Sequence, residues 1–263
     1  MTIKHGRWFM RFGPRQSKRL RLFCFPYAGG SASLFESWAN AFEDVEVLAV
    51  QLPGRSNRID EDPLESVFPI VTGLLGELGD VLDLPFVFFG HSNGALLCFE
   101  LARELQRRGI DGLMHIILSA KRALHLPRTR PDTYDLPYDR FIDELRSING
   151  TAEEFLRNPQ LMQLFVPMIR ADFKVNETHR YDADVRLQCP ASLFAGALDV
   201  DISPTDMLAW HDIIDSDDIR YTTFPGDHFF IHSQQSLVQT EINAVLGRLR
   251  RRLGAHSGID RSV

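Results

Sequence analysis

Residues 87–97 constrain the fold of this chain more than any other part of its sequence. The short apolar run at 85–89 is rich in β-favouring residues, which is typical of a strand buried on both faces. After Gly94, apolar residues recur at helical spacing as far as Leu105, with charged residues between them. The pattern therefore predicts a buried strand, a tight turn and a helix in direct succession.

The turn between this strand and this helix reads GHSNG and matches the G-x-S-x-G nucleophile elbow. A serine at the tip of such a turn has a strained backbone that exposes its hydroxyl, and the flanking glycines let strand and helix pass closely. The N-terminus of the following helix favours a developing oxyanion. A chance match in a glycine-rich turn is the alternative, but the order of the flanking elements disfavours it. We predict that Ser92 is a nucleophile.

Length, composition and charge limit the class of protein. A chain of 263 residues can form one large α/β domain with a substantial core. No apolar run is long enough to cross a bilayer, and the first residues lack the apolar core of a signal peptide. The net charge of −6 argues against general binding of nucleic acids. Cys24, Cys98 and Cys189 show no disulfide or metal spacing, so we expect buried, reduced thiols in a cytoplasmic protein.

Strand and helix signals alternate along most of the chain. The further predicted strands are 20–25, 45–52, 114–119, 191–196 and 219–224, and the further predicted helices are 34–42, 66–82, 203–214 and 236–253. Residues 1–19 are polar and basic, with Trp8, Phe9 and Phe12 as possible anchors onto the domain. The alternation predicts the α/β class, with a mostly parallel sheet covered by helices on both faces.

Residues 121–184 interrupt this alternation. An arginine-rich loop with several prolines precedes helical segments at 138–148, 152–157 and 159–177. Their many apolar residues are typical of ordinary core packing, and an all-helical insert after a sheet strand is also typical of a lid over an active site. We therefore predict a core formed by residues 1–120 and 185–263, with a helical lid at 121–184.

An acid and a base follow two later strands of the predicted sheet. Asp199 comes after one strand and His228 after the next, which gives the order Ser, acid, His. His228 would accept the proton of Ser92, and Asp199 would orient the imidazole ring. Asp201 is an alternative acid, whereas Asp227 is badly placed to reach Nδ1 of its neighbour.

The loop at 26–32 is rich in small residues and follows the first predicted strand. By itself it is a plain turn, but glycines in such a loop also let a backbone N–H approach a reacting carbonyl. Together with the elbow, it predicts an oxyanion hole formed by the N–H groups of Ala28 and Asn93.

Two further histidines lie near the predicted site. We expect His91 to pack beneath the elbow, and His232 follows His228 at about one helical turn. Because the histidines lack a second ligand at zinc-like spacing, we expect neither a metal ion nor a cofactor.

Five ordered motifs resemble a known family. They are FCFPYAGGSA at 23–32, QLPGR at 51–55, GHSNGA at 90–95, RADF at 170–173 and FPGDHFF at 224–230. From about residue 8 to 249, the chain resembles the type II thioesterases, the free-standing editing enzymes of polyketide synthases and nonribosomal peptide synthetases. It is also similar to the animal medium-chain fatty acyl thioesterase. The resemblance implies an α/β-hydrolase fold, with Asp199 as the acid and residues 121–184 as the lid.

The resemblance also implies a function, which is hydrolysis of acyl groups from the phosphopantetheine arm of an acyl- or peptidyl-carrier protein. Such an enzyme clears stalled or mis-primed units, needs no cofactor, and has no nucleic-acid or membrane partner; a monomer is the default. A carboxylesterase or acyltransferase with the same triad is the alternative enzyme. Arg122, Arg128 and Arg130 could meet an acidic carrier, although a solvated loop explains each of them as well.

Two positions depart from the family pattern. Asn93 stands where the family usually has methionine, which keeps the backbone N–H but turns a polar side chain towards the oxyanion site. The acid loop reads Asp199-Val200-Asp201 where the family often has Asp-Pro. The first departure raises a non-enzymatic alternative, a carrier-binding protein with weakened catalysis, and the second leaves Asp201 open as the acid.

Overall fold

A central sheet organises the computed structural model, which describes residues 3–5, 7–12, 18–148 and 153–259. Its eight strands within these residues are β1 (Ile3–His5), β2 (Phe9–Arg11), β3 (Leu20–Phe25), β4 (Val45–Val50), β5 (Phe86–His91), β6 (Leu113–Ser119), β7 (Ala191–Gly196) and β8 (Ile219–Phe224). Their order across the sheet is β1-β2-β4-β3-β5-β6-β7-β8. Strands β3 to β8 pair in parallel, and β1 and β2 extend the β4 edge in antiparallel. The predicted mostly parallel α/β sheet is confirmed.

Helices cover both faces of the sheet. The α-helices are α1 (Val67–Leu78), α2 (Asn93–Arg107), α3 (Tyr138–Ile148), α4 (Glu153–Leu156), α5 (Pro159–Thr178), α6 (Pro204–Leu208), α7 (Phe230–Ser233) and α8 (Gln235–Ile259). Helices α1, α2 and α6 pack on one face, whereas α7, α8 and a 3₁₀ helix at Ala32–Asn40 pack on the other. Every residue of β3, β4, β5 and β7 is buried, including the paired charges of Arg21 and Glu46, as mainly apolar strands between two helical layers require.

Helices α3, α4 and α5 lie between β6 and β7 in the chain and share an apolar cluster of their own. Phe141, Leu145, Met162 and Met168 belong to this cluster and are buried. Helix α5 begins with Asn158 as its N-cap, whose side chain accepts a hydrogen bond from the Leu161 N–H at 3.1 Å. The insert therefore has its own packing and also reaches the site through α5, as described below.

Several local elements differ from the sequence prediction. The helix predicted at 34–42 is the 3₁₀ helix Ala32–Asn40, and the helix predicted at 203–214 divides into α6 and a 3₁₀ helix at Ala209–Asp212. Strands β1 and β2 were not predicted, because three-residue strands have little pattern and depend on pairing with β4. Residue 152 of the predicted helix 152–157 lies outside the described residues.

The three cysteines are buried free thiols, as predicted. Burial raises the pKa of Cys24 and Cys98 well above the usual thiol value and raises that of Cys189 to about 12. Among the described residues, no helix is long and apolar enough to cross a membrane.

Candidate active site

Ser92 occupies a sharp turn between β5 and α2. Its backbone has φ 54° and ψ −115°, a combination that non-glycine residues rarely adopt. Its N–H donates to the Ser119 carbonyl at 2.8 Å, and its own carbonyl accepts from the Ala95 N–H at 3.0 Å. Hydrogen bonds of its N–H and its carbonyl therefore hold the strained backbone of Ser92, as predicted for the elbow.

The two glycines of the elbow permit a close approach of backbone segments. A Cβ at Gly94 would lie 2.1 Å from the Phe25 carbonyl oxygen, and a Cβ at Gly90 would lie 2.3 Å from the Gly94 carbonyl oxygen. Such distances are too short for any side chain at either position. The elbow consequently packs directly against the end of β3, where the small-residue loop begins.

His228 and Asp199 form a hydrogen-bonded pair at the ends of β8 and β7. Nδ1 of His228 lies 2.7 Å from Oδ2 of Asp199, and the side chains are 18% and 1% exposed. Oδ1 of Asp199 accepts hydrogen bonds from the N–H groups of Asp201 and Ile202, at 3.0 and 3.1 Å. A carboxylate can only accept, so Nδ1 carries the proton of this hydrogen bond, and in that tautomer the lone pair of the ring is on Nε2.

The alternative acids and base have other partners. Asp201 pairs with Arg130 at 3.0 Å, and the Asp227 carboxylate accepts from the Phe229 N–H at 2.9 Å. Nε2 of His232 lies 2.8 Å from the Tyr27 hydroxyl. Of the carboxylates considered from the sequence, Asp199 is the one that the structure brings to His228.

His91 packs beneath the elbow, as predicted. Its Nε2 lies 2.9 Å from the His228 carbonyl oxygen, which can only accept, so this nitrogen carries the proton. Its Nδ1 then accepts from the Ser119 hydroxyl at 2.8 Å. Burial, with a smaller contribution from the neighbouring His228, lowers the pKa of His91 well below its usual value. His91 is therefore a neutral residue that supports the backbone of the loop carrying His228.

The small-residue loop forms a β-turn beside the elbow. The Gly30 N–H donates to the Tyr27 carbonyl at 2.9 Å, and Gly29 has φ +78°, which favours glycine at this position. Ala28 lies in this turn and lines the same cavity as Asn93, the first residue of α2. The two predicted N–H donors thus lie on the two segments that flank Ser92.

The side chain of Asn93 is hydrogen-bonded to helix α5, whereas the sequence predicted that it faces the oxyanion site. Its Nδ2 donates to the main-chain carbonyl of Asp172 in α5 at 3.3 Å. Its Oδ1 is buried and has no hydrogen-bond partner among the described residues. The polar residue at this position therefore connects the elbow to the helical insert.

A buried ion pair beside the small-residue loop was not assigned a role from the sequence. Arg55, after β4, makes a bidentate pair with Asp172 at 2.7 Å for both contacts. Asp172 also accepts from the Gly29 N–H at 2.7 Å. The sequence signal was a carboxylate placed among apolar residues of a predicted helix, because such a charge requires a partner when the helix is buried.

A cavity of about 1150 Å³ connects the elbow, the acid and base loops and the insert. Ser92, His228 and Ala28 line it on the core side, and Phe165 and Met168 line it on the α5 side. Its size and mixed lining suit an extended, largely apolar group with a polar reacting end.

Cationic side chains form another wall of this cavity. Arg122 pairs with Asp206 at 3.0 Å, Arg128 with Asp132, and Arg130 with Asp201. Each of these arginines thus already pairs with a carboxylate of the chain itself. Contact of the three with an acidic carrier protein stays a prediction. Burial, with the charges of the nearby Arg122 and Arg128, lowers the pKa of Lys121 to about 8.

No group of three or more histidine, cysteine, aspartate or glutamate residues within the described ranges is arranged to hold a metal ion. The site itself contains a serine at a strained turn, an oriented imidazole, and backbone N–H groups on both sides.

Comparison with known proteins shows the family of this chain. The family model described as Thioesterase domain matches residues 20–246. The gramicidin S biosynthesis protein GrsT of Aneurinibacillus migulanus is 37% identical over 88% of this chain and 90% of its own length. Thioesterase PikA5 of Streptomyces venezuelae is 33% identical, over 92% of this chain and 86% of its own.

A solved structure shows the same fold. The type II thioesterase BorB from the borrelidin biosynthetic cluster is 32% identical, with a TM-score of 0.79 over 89% of this chain and 94% of its own. The Thioesterase domain model spans residues 20–246, which include strands β3 to β8 and helices α1 to α7. The chain is a hydrolase with the α/β-hydrolase fold, and it belongs to the thioesterase family, among the type II thioesterases of polyketide and nonribosomal peptide biosynthesis.

Proposed function

We propose that this chain is an editing thioesterase that hydrolyses acyl groups from the phosphopantetheine arm of acyl- or peptidyl-carrier proteins. The observation that supports this most is the hydrogen-bonded Asp199–His228 pair, whose imidazole lines the same cavity as the strained Ser92. The relatives named above include a gramicidin S biosynthesis protein and a thioesterase, and the cavity of about 1150 Å³ is of a size that suits an extended acyl group.

In this proposal, Ser92 Oγ attacks the thioester carbonyl while Nε2 of His228 accepts its proton. The oxyanion accepts hydrogen bonds from the N–H groups of Ala28 and Asn93. The tetrahedral intermediate then expels the pantetheine thiol, which receives the proton from the imidazolium, and an acyl-enzyme ester remains. Water, deprotonated by His228, attacks this ester to form a second tetrahedral intermediate. Its C–Oγ bond then breaks, which releases the acid, and Ser92 Oγ takes the proton back from the imidazolium. Asp199 stabilises the imidazolium in both steps.

We further propose that residues 121–184 act as the lid of this site, over a core formed by 1–120 and 185–263. The side chains of α5 that line the cavity support this assignment, because their displacement opens the cavity to the arm. The partner in this proposal is the carrier protein alone, and the enzyme acts as a monomer. The buried thiols agree with the cytoplasmic location predicted from the sequence, which stays a prediction.

The test is release of short acids from acyl-carrier protein, compared with hydrolysis of acyl-pantetheine and of p-nitrophenyl esters. The Ser92→Ala variant gives the background for each substrate. The proposal expects the highest kcat/KM for the carrier-bound thioester, together with its loss in the variant. Faster turnover of simple esters than of the carrier-bound thioester supports the carboxylesterase alternative instead. Binding of the carrier without release supports the non-enzymatic one.

A further inference from the structure

One residue of the insert contacts both segments of the candidate oxyanion hole. The carboxylate of Asp172 accepts a hydrogen bond from the Gly29 N–H at 2.7 Å, directly after Ala28. The main-chain carbonyl of the same residue accepts from the Asn93 side chain at 3.3 Å. Asp172 thus connects α5 to the loop of one donor and to the residue that carries the other.

Arg55 fixes the orientation of this carboxylate. Its two terminal nitrogens each lie 2.7 Å from one carboxylate oxygen of Asp172, and Nη1 also donates to the Gly30 carbonyl at 3.0 Å. The paired side chains are only 3% and 2% exposed. A planar, bidentate pair has one favourable geometry, so the turn is held at the Gly29 N–H and at the Gly30 carbonyl.

This arrangement is better explained by positioning than by stability. A buried ion pair contributes little net stability, because desolvation of both charges offsets their attraction. An oxyanion donor, by contrast, must lie within about 2.7–3.1 Å of the developing charge to be effective. In the turn that contains Ala28, Gly29 has a positive φ, and the Asp172 carboxylate accepts a hydrogen bond from its N–H. This contact from outside the turn fixes the orientation of the Ala28–Gly29 peptide group.

We propose that Asp172 is the positioning residue of the oxyanion hole, holding the Ala28 and Asn93 N–H groups in place while Arg55 orients its carboxylate. The proposal rests on the proposed function and goes beyond it, because it makes a residue of the helical insert part of the assembly of the catalytic site. It follows that the oxyanion hole is complete only when α5 is seated on the core. Movement of the lid then changes catalysis as well as access.

The test measures kcat and KM separately for Asp172→Asn, which keeps the size of the side chain but removes the bidentate pair. We expect kcat to fall by about 10- to 100-fold, somewhat less than the loss of a donor itself, with KM within about threefold. Binding of a non-hydrolysable amide analogue of acyl-pantetheine is expected to change by less than about threefold, because it develops no oxyanion. Arg55→Lys keeps the charge without the planar fork and is expected to lower kcat in the same way.

A matched control separates positioning from general destabilisation. Glu46→Gln breaks another buried ion pair, with Arg11 at 2.7 Å and with Arg21, on strands away from the site. We expect it to lower the unfolding midpoint while leaving kcat within about twofold at a temperature where the protein is folded. If Asp172→Asn does not fold, the kcat of Arg55→Lys is compared with that of Glu46→Gln instead.

Two results overturn the inference: a folded Asp172→Asn enzyme with wild-type kcat, or one in which KM rises and kcat is unchanged. All variants are also assayed with p-nitrophenyl butyrate. If the wild type hydrolyses this ester but releases no acid from a carrier, the proposed function fails. The positioning role of Asp172 is then still measured by kcat for the ester.

Discussion

Oδ2 of Asp199 lies 2.7 Å from Nδ1 of His228, while Oδ1 of the same carboxylate accepts two backbone N–H groups of the next turn. Both oxygens are thus occupied, and the carboxylate has a single orientation towards the imidazole. The adjacent Asp201 instead pairs with Arg130 at 3.0 Å. This relationship distinguishes two carboxylates that the sequence left as alternatives.

We predict that Asp199→Asn lowers kcat by about 10⁴-fold, because an amide favours the wrong imidazole tautomer and cannot stabilise the imidazolium. Asp201→Asn is the matched control, two residues away. Its ion pair is partly exposed, so we expect kcat within about threefold of the wild type. Steady-state kinetics on an acyl thioester checks both variants. A larger loss in Asp201→Asn than in Asp199→Asn would contradict the assignment.

The elbow predicts a contrast between two glycine substitutions. Gly94→Ala places a Cβ 2.1 Å from the Phe25 carbonyl oxygen, so we expect it to lower the free energy of unfolding by about 3 kcal/mol. Gly76→Ala lies in α1, where a Cβ meets no atom within 4 Å, and we expect it to raise that free energy by about 0.5–1 kcal/mol. Urea denaturation measures both. Equal stability of the two variants would show that strand and helix are not in close contact at the elbow.

His115 predicts part of the acid sensitivity of the fold. Its Nε2 lies 2.9 Å from the Ser192 hydroxyl between β6 and β7, and burial lowers its pKa to about 4. In the unfolded chain the pKa of His115 is about 6.5, so as the pH falls the imidazole is protonated in the unfolded state before it is protonated in the folded state. The contribution of His115 to stability is complete above about pH 6.5 and is lost between about pH 6.5 and 4, by about 3 kcal/mol.

The measurement is the difference in free energy of unfolding between pH 7 and pH 4.5, for the wild type and for His115→Gln. We expect a smaller difference in the variant, because one proton-linked contribution is removed. The exposed His211, replaced by glutamine, serves as the control and should leave the difference unchanged. Identical pH dependence in all three proteins would be incompatible with a buried neutral His115.

Much of the fold follows from local sequence patterns. The strands Leu20–Phe25, Ala191–Gly196 and Ile219–Phe224 have the predicted bounds, because β-favouring residues stand between polar, proline or glycine residues that mark the ends. The start of α6 also agrees with the sequence, because Ser203 is a typical N-cap and Pro204 a typical first-turn residue; the structure adds a capping box with Asp206. In contrast, strands β1 and β2 depend on pairing with a distant edge, and local pattern does not contain that information.

The candidate site likewise contains residues that local patterns identify and residues that only the folded chain brings together. Ser92, Asp199 and His228 could be named because each stands at the end of a strand in an order that the chain itself displays. The partnership of Arg55 and Asp172 could not, because the two residues are 117 positions apart and meet only when α5 packs on the core. The direction of the Asn93 side chain depends on the same packing.

The most direct test of this account compares hydrolysis of one acyl thioester by the wild type and by Ser92→Ala. The variant removes the hydroxyl and leaves the backbone donors in place. We expect kcat to fall by about 10⁶-fold, to a residual rate from binding and the oxyanion hole alone. Circular dichroism and the unfolding midpoint should match the wild type. A folded Ser92→Ala enzyme that retains activity within about tenfold of the wild type would contradict the account.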